Sequence, residues 1–94
     1  MDTTRAVRLK FTLGNYPNPF NPTTVIKYDM PKETHVRITV YDVLGRKVET
    51  LVDGIETAGI HEVTFDGSRL ASGVYFYRLT TPTYSKVMKM LTLK

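Results

Sequence analysis

Apolar side chains in this chain recur at every second residue, and nowhere does a period of 3.6 persist over three turns. Successive side chains of a strand point to opposite faces, so this alternation commits each segment to a half-buried strand. Val7, Leu9, Phe11 and Leu13 alternate with Arg8, Lys10 and Thr12, which predicts a first strand there. Thr24, Ile26 and Tyr28 share one face of a second, stopped near Met30-Pro31. The third is the clearest, with Val36, Ile38 and Val40 inward and Arg37, Thr39 and Tyr41 outward. Asp42-Val43-Leu44-Gly45 reads as a tight hairpin turn into a fourth strand, Arg46 to Val52. Poor alternation marks that strand as an edge, and Asp53-Gly54 is expected to break it. Ala58-Gly59 marks the next turn. His61, Val63 and Phe65 then share a face of the fifth strand, which Asp66-Gly67 ends.

The sixth strand, Val74 to Thr80, is apolar on both faces near its start and is expected to be central and covered on both sides. The seventh, Tyr84 to Leu93, leaves its buried face open. Val87, Leu91 and Leu93 share one side with Lys89, while Met88 and Met90 share the other with Lys86. Seven short strands with turn signals at intervals of roughly ten residues predict an all-β fold, a seven-stranded immunoglobulin-like β-sandwich, with a small barrel as the alternative. Without cysteine no disulfide can join the sheets, so packing must. The most conspicuous interruption is Gly14 to Pro22, where Pro17, Pro19 and Pro22 alternate with Asn15, Asn18 and Asn21. Proline removes ladder donors and holds its predecessor extended, so an ordered, turn-rich loop is expected there. Residues 1–10 read as a linker or an added strand, and residues 11–94 as one domain.

The chemistry is limited by supply. His35 and His61 are the only imidazoles, and His61 lies in register with Val63 and Phe65, as a structural histidine at the core edge would. Ser68, Ser72 and Ser85 lie in turns without a nucleophile elbow. Asp42, Asp53 and Asp66 sit in turns, where aspartate caps its own backbone more readily than it builds a calcium site. No phosphate-cradling glycine loop and no zinc-ligand spacing occurs, so neither catalysis nor a cofactor is expected. A pI near 9.5 invites a nucleic-acid reading, but Tyr75, Phe76 and Tyr77 fall in the central strand, where core packing accounts for them. Eight of the nine acids lie between Asp29 and Asp66, and Gly67 to Lys94 holds none beside Arg69, Arg78, Lys86, Lys89 and Lys94. Such a one-signed third either meets an anionic surface or keeps a strand edge from aggregating. No apolar run nears the roughly 20 residues of a membrane-spanning helix.

Four separated segments add a resemblance. Asn15-Tyr16-Pro17-Asn18-Pro19-Phe20-Asn21-Pro22, followed by Thr24, Ile26, Tyr28 and Pro31, resembles the opening of the type IX secretion C-terminal sorting domain of Bacteroidetes and related bacteria. Val40-Tyr41-Asp42-Val43-Leu44-Gly45-Arg46-Lys47-Val48, trailed by Leu51-Val52, is similar to its second signature, and Ala58-Gly59 with His61 and Val63 to its third hairpin. Leu70-Ala71-Ser72-Gly73-Val74-Tyr75-Phe76-Tyr77-Arg78-Leu79, with Lys89-Met90, resembles its closing signature. Phe65 stands where the family often has tryptophan, and either ring fills a core. Immunoglobulin-like domains related to the flagellar hook-cap protein share the style.

The resemblance implies an address label on an exported protein. Its partners would be a cargo domain N-terminal to it in the parent protein, the outer-membrane translocon that recognises it after passage through the periplasm, and a surface sortase-like protease that removes it. The cargo would end at the cell surface or in the medium. Met1 to Arg5 lacks the apolar core of a signal peptide, so another segment of the parent is expected to direct the first membrane crossing.

Expected recognition residues are Asn15, Pro17, Asn18, Pro19 and Phe20 in the loop, Asp42, Gly45 and Arg46 in the turn, and Gly73, Tyr75 and Lys89 near the end. A proline-rich loop loses little entropy on docking, Arg46 offers a bidentate fork, and the acid-free last strand suits strand addition to a receptor. Each feature also has a purely internal explanation. The loop could bridge the two sheets, Arg46 could pair with Glu49, and the last strand could simply complete the sandwich. The competing functional reading is a passive structural or adhesive module beside a secreted enzyme, with carbohydrate bound through Tyr41 or Tyr84 as its variant. Self-association through an unpaired edge strand stays open.

Overall fold

In the computed structural model of the chain, which describes residues 12–93, seven strands follow one another: β1 (Thr12–Tyr16), β2 (Thr23–Met30), β3 (Thr34–Tyr41), β4 (Lys47–Glu56), β5 (Gly59–Asp66), β6 (Gly73–Thr81) and β7 (Tyr84–Thr92). They form two antiparallel sheets, ordered β1-β2-β5 and β4-β3-β6-β7. This is the immunoglobulin-like sandwich that the alternation predicts, with its core between the sheets. Val7, Leu9 and Phe11 of the expected first strand, the expected linker 1–10 and Lys94 lie outside the described residues.

The clearest alternations hold. Ile26, Tyr28 and Met30 of β2 face Val36, Ile38 and Val40 of β3 across the core, and all six are sealed from solvent. Burial of each such side chain contributes about 1.5–3 kcal/mol before its entropy cost. β6 adds Tyr75, Tyr77 and Leu79, and lies between β3 and β7 as a central strand. Its outer side differs from expectation: Val74 and Phe76 are only half-buried, because a two-layer sandwich covers each sheet on one face. Register decides β7. Met88 pairs with Tyr77 and Met90 with Tyr75, so the methionine face turns inward, with half-buried Lys86 at the end of that row opposite Leu79.

Two boundaries move. β1 takes Gly14, Asn15 and Tyr16 out of the expected loop, because Asn15 pairs with Ile26 on the core side and finds polar partners there. β4 is an edge, as expected, but it runs through Asp53-Gly54 to Glu56. Gly54 pairs with Val36, while Asp53 is held by His35 at 2.9 Å and by Arg37 at 3.7 Å. The poor alternation of β4 has a local cause. Two register shifts against β3 leave Leu51 and Val48 as extra residues, and both still pack on the core.

Candidate functional site

The proline-rich loop is tied into both sheets. The Tyr77 hydroxyl donates to Asn15 Oδ1 at 2.9 Å, Asn15 Nδ2 donates to Thr24 Oγ1 at 3.1 Å, and the Thr24 hydroxyl donates to the Pro17 carbonyl at 2.8 Å. Three residues on, Asn18 accepts the Leu91 N–H at 3.0 Å and donates to the Lys89 carbonyl at 3.3 Å. Phe20 continues this as a parallel bridge to Thr92: its N–H donates to the Leu91 carbonyl and its carbonyl accepts from the Leu93 N–H, both at 2.9 Å. The Phe20 ring is 1% exposed and meets Phe65 edge-on at 6.1 Å. Gly67 makes that possible, since a Cβ there would lie 3.0 Å from the ring. Burial pushes the Tyr77 hydroxyl up to about 12.

The loop therefore bridges the sheets through Asn15, Asn18 and Phe20, while Tyr16, at 82% exposure, and Pro17 and Pro19 face solvent. The same bridge corrects one expectation about β7. Its edge from Lys89 to Leu93 is taken by the chain's own loop and is not open to strand addition. Lys89 keeps an exposed side chain beside that loop.

The β3–β4 turn satisfies its polar groups within itself and leaves its apolar ones outside. Asp42 Oδ1 accepts the N–H groups of Leu44 and Arg46, each at 2.9 Å. Its Oδ2 accepts Arg46 Nε at 2.9 Å, so the acid that pairs with Arg46 is Asp42 and not Glu49. The backbone N–H of Arg46, then its side chain and the Leu44 N–H, hold the Asp42 carboxyl below its usual value. Gly45 closes the turn at φ +82°, a conformation costly for other residues, with its N–H on the Asp42 carbonyl at 3.0 Å. Val43 and Leu44 are left 64% and 73% exposed. Sequence reasoning named the turn's polar residues and passed over these two. The usable signal was position, because the central side chains of a tight turn point away from the strands.

Gly73 and Tyr75 lie beside this turn: a shallow groove of about 320 Å³ is lined by Asp42, Val43, Leu44 and Arg46 on one side and by Ala71 to Tyr75 on the other. Gly73 pairs with Thr92, and Tyr75 is 8% exposed with its hydroxyl donating to the Ala71 carbonyl at 2.8 Å. The eleven residues expected to carry recognition thus fall into two groups. One is the loop with Lys89; the other is the turn with Gly73 and Tyr75.

His61 is structural in its contacts. It stacks on Tyr28 at 5.4 Å, and its ring nitrogens face the Thr57 carbonyl at 2.8 Å and Glu56 Oε1 at 3.1 Å. Desolvation, then the Glu56 charge, raises the Tyr28 hydroxyl to about 12. Among the described residues no group of three or more His, Asp or Glu side chains could hold a metal ion.

Comparison with known proteins places the chain. The model of the secretion system C-terminal sorting domain matches residues 15–93. The dimeric latent form of PorU from Porphyromonas gingivalis has a similar fold, with a TM-score of 0.69 at 19% identity. That likeness covers 88% of this chain and only 9% of the PorU chain, and it speaks for the fold alone. No curated protein sequence matches the chain.

Proposed function

The chain belongs to the secretion system C-terminal sorting domains, the type IX family whose members mark proteins for export, and we propose that it is read in its folded form by the outer-membrane translocon. The family match over residues 15–93 carries this reading. The physics of the surface supports it. A receptor that serves many cargoes needs a feature that looks the same whatever precedes it, and a rigid one binds at a lower entropy cost. The Val43–Leu44 tip meets both needs: the Asp42 carboxylate and Gly45 fix its backbone, and two apolar side chains stand in solvent without neighbours to bury them. Arg46 and the adjoining groove toward Gly73 supply a polar rim around that apolar centre.

In this reading the loop residues Asn15, Asn18 and Phe20 act by holding the sandwich in one shape, and Tyr16, Pro17, Pro19 and Lys89 form a second exposed patch. The cargo lies N-terminal to the domain, and a sortase-like protease cuts between the two. The domain is the substrate of that cut and supplies no catalytic group. The reading is tested by fusing a reporter that carries its own N-terminal signal peptide ahead of the 94-residue chain in a bacterium with the type IX apparatus, and in the same strain lacking its outer-membrane translocon. The expected result is a reporter outside the first strain, shortened by about the domain's 10.7 kDa, and inside the periplasm of the second. Periplasmic reporter in both strains contradicts the sorting role. Export without shortening contradicts the cut alone and favours a retained module.

A further inference from the structure

The outer face of the four-stranded sheet carries a feature of which the sorting role uses Lys89 alone. Thr39 of β3 pairs with Arg78 of β6, which pairs with Val87 of β7; Tyr41, Phe76 and Lys89 form the next row; Arg37, Thr80 and Ser85 the previous one. Arg37, Arg78 and Lys89 therefore lie on one straight diagonal across three strands, each exposed. Diagonal neighbours in a sheet are roughly 7–8 Å apart. The Arg78 guanidinium lies over the Tyr41 ring at 5.5 Å, and among the described residues no carboxylate pairs with Arg78 or Lys89. Arg37 makes one long contact with Asp53 at 3.7 Å, the one acid bonded to this face. The acid-free stretch from Gly67 to Lys94 supplies two of the three cations.

We propose that this face binds an acidic, extended polypeptide segment with carboxylates at alternate positions, laid along the Arg37–Arg78–Lys89 diagonal. Same-face side chains of an extended chain repeat about every 6.7 Å, close enough to the cation spacing for the long arginine and lysine stems to match. Guanidinium groups take carboxylates bidentately, and the stacked Arg78 is already held in place. One observation favours a polypeptide over an anionic glycan. The Tyr41 ring is occupied by Arg78, and Phe76 is half-buried, so the face has no free aromatic platform for a sugar ring. This surface shares Lys89 with the exposed patch of the loop and adjoins the turn through Tyr41, but binding by the isolated chain does not depend on whether a translocon reads either.

Nuclear magnetic resonance titration of the isotope-labelled chain tests it, with a synthetic peptide alternating Glu and Thr, the same peptide with Gln for Glu, and a heparin fragment as probes. The expected result is saturable binding of the Glu peptide alone among the peptides, with shifts confined to the outer-face positions of β3, β6 and β7 and lost at high salt. Replacing both unpaired cations, Arg78→Gln with Lys89→Gln, should weaken binding about tenfold. The spectrum itself reports whether that variant is folded, and the salt dependence of the parent chain gives a second reading if it is not. Equal binding of the Gln peptide, shifts elsewhere, or no binding overturns the proposal. Tighter binding of heparin than of the Glu peptide at the same positions reassigns the face to a glycan and overturns it as well.

Discussion

The two loops expected to carry recognition, Asn15 to Pro22 and Asp42 to Arg46, distribute their side chains in opposite ways. In the stretch from Asn15 to Pro22 the ring of Phe20 is buried and the amides of Asn15 and Asn18 join strands more than 60 residues away, as the Asn15–Tyr77 and Asn18–Leu91 bonds do across separations of 62 and 73. From Asp42 to Arg46 every polar bond closes within four residues, and the apolar side chains are the ones left outside. A loop of the first kind is part of the core and acts on everything at once. One of the second kind can change without disturbing its neighbours, which is what a recognition element requires.

Changes in the clasp should therefore cost stability, and changes at the tip should not. The largest effect is expected on removing Lys89 to Lys94, which deletes buried Met90 and Thr92 together with every β7 partner of Asn18 and Phe20. That loss rivals the roughly 5–15 kcal/mol that holds a small domain folded, so no cooperative thermal transition should remain. Loss of export in such a truncation says nothing about docking. Phe20→Ala comes next, at about 3–5 kcal/mol in chemical denaturation, since it empties the space between Phe65 and Gly67. A cost under about 1 kcal/mol would mean that the loop is merely laid on the surface.

Asn15→Ala should cost about 1–3 kcal/mol, because it leaves the buried Tyr77 hydroxyl without its acceptor. The same neighbourhood responds to alkali. The Tyr77 and Tyr28 hydroxyls ionise near 12 in the fold against 10.0 when free, so their stabilising effect is full below about pH 10 and is lost as pH rises toward 12. Absorbance titration of the tyrosines alongside the unfolding signal should show both events together. Separate events would place these rings in water.

How much of this was legible follows from where each partner lies. β2 and β3 could be read directly, since Ile26, Tyr28, Val36, Ile38 and Val40 alternate without a defect. The bonds of Asn15 and Asn18 could not, because an asparagine in a proline-rich loop looks solvent-facing until its distant partners are in place. β4 could be read as an edge, but not its length, because Asp53-Gly54 looks like a turn until Arg37 and Val36 are beside it. The face of β7 needed the register against Tyr75 and Tyr77. At the turn, the chemistry of Asp42, Gly45 and Arg46 was plain, while the exposure of Val43 and Leu44 followed from turn geometry that went unused.

Smaller effects belong to the tip. Asp42 holds its proton less tightly in the fold than the ordinary 3.8, so its support of the turn is present above that pH and fades as pH falls through its lower folded value. Amide exchange at Leu44 and Arg46 should quicken in that acid window while the Tyr77–Asn15 region stays protected; simultaneous loss at both would tie the turn to the core. Val43→Ser with Leu44→Ser should move the unfolding midpoint least, by no more than about 0.5 kcal/mol.

That same double variant offers the most direct test of the central claim, that the exposed tip of a folded domain is what the export machinery reads. Placed behind a reporter with its own signal peptide in a bacterium with the type IX apparatus, the folded variant should leave the reporter in the periplasm, with export down about tenfold or more from the parent. Undiminished export of a reporter carrying both serines would contradict it.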